Sequence, residues 1–495
     1  ITQDVNFGNV NRNSIRKNED FTTKDESSLK RMQQKETIVR YQFINNILKK
    51  HMVVDANAAK GLRANLDKIL THKVWGYIIF FAILLLIFQA IYEWSSYPMD
   101  LIDASFVKLS EYVKLWLPAG SFTRLIAEGI IPGLGGIVIF IPQIAFLFLF
   151  ISILEESGYM SRVVFLMDRS MRKFGLSGKS VVPLVSGTAC AIPAVMASRN
   201  IEDWKERLIT ILVVPFVTCS ARLPVYLIII ALVIPDTSFM GFNLQGLTLM
   251  LLYLLGFGMA IFSAWVLHKI MKLKNKSYFV IEMPDYKLPM AKNVALNVVE
   301  KTKSFVFGAG KIILAISVIL WVLASYGPGE RFDNAEKIVT TKFSETFLPQ
   351  EELENKIAAF KLEHSYIGKV GKAIEPAVVP LGYDWKIGIA LVSSFAAREV
   401  FVGTLATIYS VGSDEEETIK TRMATETNHI LGGPLFNFAS GVSLLLFYAF
   451  AMQCMSTLAI VKKETNTWKW PVLQFIGMTG IAYLAALFAF QILKN

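Results

Sequence analysis

Charge and cysteine are both scarce in this sequence. Only 18% of its residues are charged, where a soluble chain carries about one in four. Three cysteines in 495 residues exclude a disulfide framework. Cys190, Cys219 and Cys454 all fall inside apolar stretches, away from any oxidising solvent. The five histidines (His51, His72, His268, His364 and His429) lack metal-site spacing. Only His364 and His429, on loops expected to face outward, are placed to meet an entering metal. A phosphate-binding loop is missing too. Gly175-Leu-Ser-Gly178-Lys179-Ser180 ends like one, but Lys173 stands where its first glycine is required, and no strand precedes it. There is no secretory signal pattern, and the chain opens with Ile1. We therefore expect a fragment whose insertion relies on internal segments. The net charge of +10 does not indicate nucleic acid, because no aromatic-basic motif accompanies it and membrane proteins concentrate Lys and Arg on cytoplasmic loops.

What the sequence has is apolar residues, 53% of the total, gathered in long blocks. About 20 such residues span a bilayer as helix. Seven segments qualify: 74–94, 131–154, 207–234, 245–268, 305–326, 440–461 and 470–493. Two more, 181–198 and 387–411, are apolar but interrupted by small and polar residues, and the first contains Pro183 and Pro193. Loops 36–73, 155–180 and 269–303 are basic. The long loop 327–386 is slightly acidic, as is 412–430. Lys and Arg mark the cytoplasmic side, so the N-terminus is expected inside, with 181–198 and 387–411 re-entering rather than crossing. Residues 1–35 are too polar to order themselves and read as a linker. In 36–73, Ile38, Tyr41, Ile44, Ile47 and Leu48 keep the spacing of a short amphipathic helix.

The two interrupted segments align without a gap at an offset of 207. Gly175 to Lys179 matches Gly382 to Lys386, Leu184-Val185-Ser186 matches Leu391-Val392-Ser393, and Tyr159 matches Tyr366. Three full spans separate the copies, and an odd number inverts the second. The expected fold class is thus an all-α polytopic membrane protein with an inverted repeat of two gate regions, 131–268 and 305–493, built on broken or re-entrant helices. This is a transporter architecture. Broken helices expose backbone groups that are tolerable in lipid only where they line a cavity or hold a solute.

Three stretches carry the candidate chemistry. In Ser186-Gly187-Thr-Ala-Cys190-Ala-Ile-Pro193, Pro193 removes a donor and frees a carbonyl about four residues back. A thiol beside such a carbonyl suits a borderline cation such as Fe²⁺. The plain alternative is a buried small hydrophobe in a kinked helix. Thr218-Cys219-Ser220-Ala-Arg222-Leu-Pro224 repeats the pattern and buries Arg222, either on the solute path or satisfied structurally by carbonyls. Gln453-Cys454-Met455-Ser456-Thr457 places the third thiol mid-span, with Met452 and Met455 nearby. Arg398 and Glu399 lie in the second interrupted segment, as an ion pair or as part of the path. Glu155 and Glu156 end a span at its inner face, where they either collect cations or are simply solvated.

These motifs, with Gly135-Gly136 to Gln143, Leu154-Glu155-Glu156-Ser-Gly-Tyr-Met-Ser-Arg162, Phe165-Leu-Met-Asp-Arg169 and Ala397-Arg398-Glu399, closely resemble the membrane part of the ferrous iron transport protein B (FeoB) family, in order over about 36–493. The resemblance implies Fe²⁺ as the transported substrate and a bacterial inner-membrane location. It also implies two gate regions, and GTP with Mg²⁺ acting only through an N-terminal domain not encoded here. Cys190 and Cys219, and with less support Cys454, match motif cysteines on the iron path. Small Feo accessory proteins and a homo-oligomer are the implied partners besides the bilayer. Where many relatives have Gly-x-x-Cys-Asn-x-Pro, this chain has Ala191, which removes a potential oxygen ligand. Two rivals stand beside this: a carrier of nucleosides or another organic solute on the same gate fold, and a membrane-embedded enzyme using Arg398 and Glu399, for which no nucleophile–base pair is visible.

Overall fold

The computed structural model describes residues 26–51, 62–118, 120–235, 237–239, 242–271, 286–342, 350–395, 398, 400–408, 423, 427–428 and 433–494. Two compact units divide the chain, Ile1–Leu66 and Asp67–Asn495. In the first, the helix Glu26–His51 begins inside the stretch read as a linker. Its residues Ile38, Tyr41, Ile44, Ile47 and Leu48 are all exposed.

The second unit contains seven helices long and apolar enough to cross a membrane: Trp75–Trp116, Ser121–Glu156, Trp204–Val233, Leu244–Ile270, Ala291–Ser325, Phe438–Thr465 and Lys469–Leu493. They match the seven expected spans in order, and the protein is an all-α polytopic membrane protein. Two antiparallel pairs of two residues each, Ser238–Phe239 with Phe242–Asn243 and Thr427–Asn428 with Gly433–Pro434, are the strands among the described residues. The first helix departs from expectation. It runs 42 residues through Pro98, about 63 Å at 1.5 Å per residue, twice the hydrocarbon thickness of roughly 30 Å. Its second half packs along the start of the next span, with Phe106 against Gly135 and Ser110 donating to the Ala127 carbonyl at 2.7 Å.

The continuous helices pack through narrow stripes. Leu244–Ile270 starts where the Asn243 side chain accepts from the Gln245 amide at 2.8 Å. It buries Leu252, Gly256, Ala260 and Ala264, one residue per helical turn. Lys469–Leu493 does the same with Met478, Ala482, Ala486 and Phe490. Small residues at this spacing let backbones approach closely in lipid, where helices gain little from the hydrophobic effect. Gly256 shows the need for it, because a Cβ there would stand 2.9 Å from the Phe216 carbonyl oxygen. The remaining faces carry exposed Leu251, Leu254, Phe262, Leu484 and Phe488, as a lipid-facing surface should.

The internal repeat is visible element by element. Tyr159–Met171 and Tyr366–Val378 are both 13-residue helices. Each runs into a three-residue 3₁₀ turn, Arg172–Phe174 or Val379–Leu381. Each turn ends on a left-handed glycine, Gly175 at φ 78° and Gly382 at φ 89°. The nine-residue helices Val181–Ala189 and Trp385–Ser393 follow. Each is then interrupted before a short second helix, Ala191–Ala197 or Val400–Ile408. Two of the spans expected to be continuous are broken as well. Trp204–Val233 leaves the helix around 217–219, and Phe438–Thr465 leaves it at 451–454.

Candidate functional site

Each cysteine occupies the extended residue just ahead of a new helical turn. Cys190 has φ −155° and ψ 136°, Cys219 φ −96° and ψ 164°, and Cys454 φ −155° and ψ 96°. Every break leaves backbone groups without helical partners, and the site is built from what takes them up.

At the first break, Pro193 has no N–H to give the carbonyl of Ala189. The Ser220 hydroxyl donates to that oxygen instead, at 2.9 Å, and Ser220 is in turn held by Gln143 Nε2 at 3.2 Å. The carbonyl expected to be free for a metal thus already serves as a tie between the Cys190 and Cys219 breaks. At the second break, the fully buried Arg222 folds back on its own chain. Its guanidinium donates to the carbonyls of Pro215 at 2.9 Å and Phe216 at 3.4 Å, and across the repeat to Ala449 at 2.9 Å. These are C-terminal carbonyls of interrupted helices, carrying the negative end of the helix dipole. The buried charge meets partial negative charge there, the structural alternative weighed for Arg222. At the third break, Arg398 Nη2 donates to Ala451 at 3.3 Å and Thr457 donates to the Cys454 sulfur at 3.1 Å.

The three breaks enclose one cavity of about 110 Å³, lined by Cys190, Cys219 and Cys454 together with Gln143, Met452 and Arg398. Residues from both copies meet in it. It is mostly apolar, with Ser456 and Thr457 adding hydroxyls. Among the described residues no three His, Cys, Asp or Glu side chains cluster as a metal site. The cavity has sulfur donors on its walls but no closed coordination cage among the described residues.

Other candidates lie elsewhere. Glu155 is exposed, and Glu156 accepts from the Met290 amide at 2.8 Å; neither lines the cavity. Met455 is 40% exposed and turns away from it, while Met452, fully buried, lines it. Pro193 and Gly187 are buried behind Cys190, and Pro224 sits in the first turn of Leu223–Val233, where its missing N–H costs nothing. Glu399 and His429 lie outside the described residues. His364 stacks on Phe360 at 4.3 Å, away from the thiols.

Two polar clusters had not been singled out. Glu464, 4% exposed, joins the copies by receiving Arg199 at 2.5 Å and Arg207 at 2.7 Å. The hydrogen bond to Glu464 raises the Arg199 pKa. A lone carboxylate in the last turn of a span was the available signal. Asp67 accepts from Arg162 at 2.9 Å and Tyr286 at 2.6 Å. Burial pushes the Tyr286 hydroxyl up to about 12, helped by its bond to Asp67. These partners are 95 and 219 residues away from Asp67, beyond the reach of local pattern.

Comparison with known proteins agrees with this geometry. A family described as nucleoside recognition (Gate) matches residues 137–233 and 306–468, one range within each copy. The ferrous iron transport protein B C terminus matches 249–301. A Fe(2+) transporter FeoB of Leptospira interrogans serogroup Icterohaemorrhagiae serovar Lai is 44% identical over 452 residues, 91% of this chain and 62% of that protein. The Fe(2+) transporter FeoB of Staphylococcus aureus strain MSSA476 is 35% identical over 92% of this chain and 62% of its own length. A Fe(2+) transport protein A/Fe(2+) transporter FeoB fusion protein of Porphyromonas gingivalis is 34% identical over 92% of this chain and 54% of that protein. The chain thus spans somewhat over half the length of these relatives. No solved structure matches it. With both gate copies and the intervening C-terminal region matched, this chain belongs to the FeoB family as part of its membrane region.

Proposed function

We propose that the chain carries ferrous iron across a bacterial cytoplasmic membrane along a path through the three-cysteine cavity. The convergence of Cys190, Cys219 and Cys454 on one cavity carries this reading. Relatives named Fe(2+) transporter support the cargo. Sulfur donors suit Fe²⁺ better than hard ions, which demand oxygen. Cys190 and Cys219 act as the principal ligands, Cys454 assists, and Met452 takes the place given to Met455. Glu155 and Glu156 collect or release the ion at the inner mouth, and Glu399 meets it near the break in the second copy.

The family description raises nucleosides as a second substrate class. Size weighs against it. About 110 Å³ is well below the roughly 300 Å³ at which small-molecule sites begin. We assign the chain transport and no catalysis. Control by GTP and Mg²⁺ would come through a nucleotide-binding region outside the matched residues. The fused Porphyromonas relative supports a small Feo protein as a partner. The basic loops support an N-terminus in the cytoplasm.

Uptake of radioactive ferrous iron into proteoliposomes tests this, with labelled nucleoside as a parallel substrate. Cys190→Ser and Cys219→Ser should each lower iron uptake at least tenfold, and Cys454→Ser severalfold. Uptake should also fall on acidification, because thiols must deprotonate to bind a metal tightly. Normal iron uptake by Cys190→Ser, or nucleoside uptake by the wild type, would sink the reading.

A further inference from the structure

The cavity proposed for a dication has an arginine on its wall. Arg398 lines it and is 5% exposed. One hydrogen bond is seen to its guanidinium, the 3.3 Å contact to Ala451. Its Nη1 is buried with no partner. Arg222 also keeps its Nε without a partner, but its two terminal nitrogens reach three carbonyls. No carboxylate lines the cavity among the described residues. The positive end of a helix adds to the imbalance. Met455–Thr465, 11 residues long, begins at Cys454 with no side-chain cap; its Met455 amide donates to the Phe395 carbonyl at 3.3 Å, and the next two first-turn residues, Ser456 and Thr457, line the same cavity. A buried donor left unpaired destabilises the fold, more so when it is charged. A buried guanidinium beside uncapped helix amides is the environment in which proteins hold anions.

We infer that the cavity binds a small monovalent anion of the halide class between Arg398 Nη1 and the first turn of Met455–Thr465, next to the cysteines. About 110 Å³ holds one such ion with a few waters, given about 30 Å³ per water. The anion neutralises Arg398 before a dication enters. Without it, the dication would face an uncompensated positive charge at short range in a medium of low dielectric. The anion site stands on Arg398 and the helix terminus alone. Its effect on the metal rests on the transport reading above.

Two measurements on the full chain in lipid nanodiscs separate the two claims. The first is equilibrium binding of radioactive chloride to metal-free protein in a gluconate background. We expect one site, weakened at least tenfold by Arg398→Gln and partly kept by Arg398→Lys. Folding of each variant is checked by its melting temperature. The second is Co²⁺ binding, followed by its thiolate charge-transfer band, in chloride against gluconate. Wild type should bind Co²⁺ severalfold tighter in chloride, and Arg398→Gln should lose that difference. Chloride binding that is absent, or equal in Arg398→Gln, overturns the proposal. So does binding that emerges only in Glu399→Gln, since Glu399 would then be the counter-charge. Chloride binding without Co²⁺ binding would leave the anion site standing and remove the thiol metal path.

Discussion

The two gate copies follow one backbone plan yet deliver different chemistry. Through Tyr159–Met171 and Tyr366–Val378, the 3₁₀ turns and the left-handed glycines, they agree residue for residue at an offset of 207. At the interruption they part. The first copy places Cys190 there, and the second has Arg398 one residue beyond the equivalent position, both lining one cavity. Backbone shape can therefore persist through duplication while the side chains at the break specialise, one copy toward sulfur and the other toward positive charge. The broken spans are also the inner ones. In Phe438–Thr465, 78% of the apolar window is buried, against 22% for Lys469–Leu493. The two spans that leave the helix altogether are the most buried of the seven, at 50% and 78%, where protein rather than lipid surrounds the freed backbone groups.

The sharpest test contrasts the arginines. Arg222 satisfies three carbonyls from both copies, while Arg398 is seen to satisfy one weakly. Each buried acceptor left unpaired costs about 1–3 kcal/mol, offset in part by no longer burying a charge. Arg222→Leu should thus cost roughly 3 kcal/mol, and Arg398→Leu under about 1 kcal/mol. Thermal unfolding in detergent measures both. Equal losses would mean that the two arginines are structurally equivalent and the copies less specialised than drawn.

The glycines give a smaller contrast. Both sit at positive φ, where a Cβ costs about 1–2 kcal/mol. At Gly382 the new methyl would meet the outer ring atoms of Phe490, and at Gly175 the Cβ and ring base of His268. A turn about its side-chain torsions can shift the Phe490 ring, whereas the His268 Cβ is fixed to its helix backbone. Gly175→Ala should therefore destabilise more than Gly382→Ala, by about 1 kcal/mol, on the same melting assay. The reverse order would place the tighter packing in the second copy.

Much of this was legible in the sequence, for identifiable reasons. The spans were legible because lipid demands length and apolarity, and the repeat because its turn glycines and its Tyr159 and Tyr366 hold register. The breaks inside 207–234 and 440–461 were not. Hydropathy runs through them unchanged, and only the Cys-to-Pro spacing at Cys219 hinted at one. Missing the second break misplaced Met455. Helical spacing puts it near Cys454 on a continuous helix, but leaving the helix at 451–454 changes the phase and turns Met452 inward instead. The role of the Ala189 carbonyl was hidden because its donor, Ser220, comes from another break. Arg222 reaches Ala449 across 227 residues, which no local pattern can reveal.

The last contrast lies away from the cavity, around Arg162. Arg162 of the first copy is 3% exposed, paired with Asp67 and stacked 4.1 Å from the Tyr286 ring. At the offset of 207 the second copy has Lys369, which is exposed. Among the described residues, it is the first copy that segments outside the repeat tie down here. Burial alone would raise the Asp67 pKa, but hydrogen bonds from Arg162 and Tyr286 outweigh it and hold the carboxyl below its usual 3.8. A depressed carboxylate stabilises the fold above its unfolded pKa. That contribution fades as pH falls through the lower folded value. Asp67 is 36% exposed, so solvent screening limits the tie to about 1 kcal/mol or less. The melting temperature of Asp67→Asn should lie slightly below wild type at pH 6, and the gap should close as the pH drops below about 4. Lys369→Ala should shift it at neither pH. A gap that persists in acid would assign the loss to packing around Arg162 rather than to the charge of Asp67, and the asymmetry between the copies would then be one of shape alone.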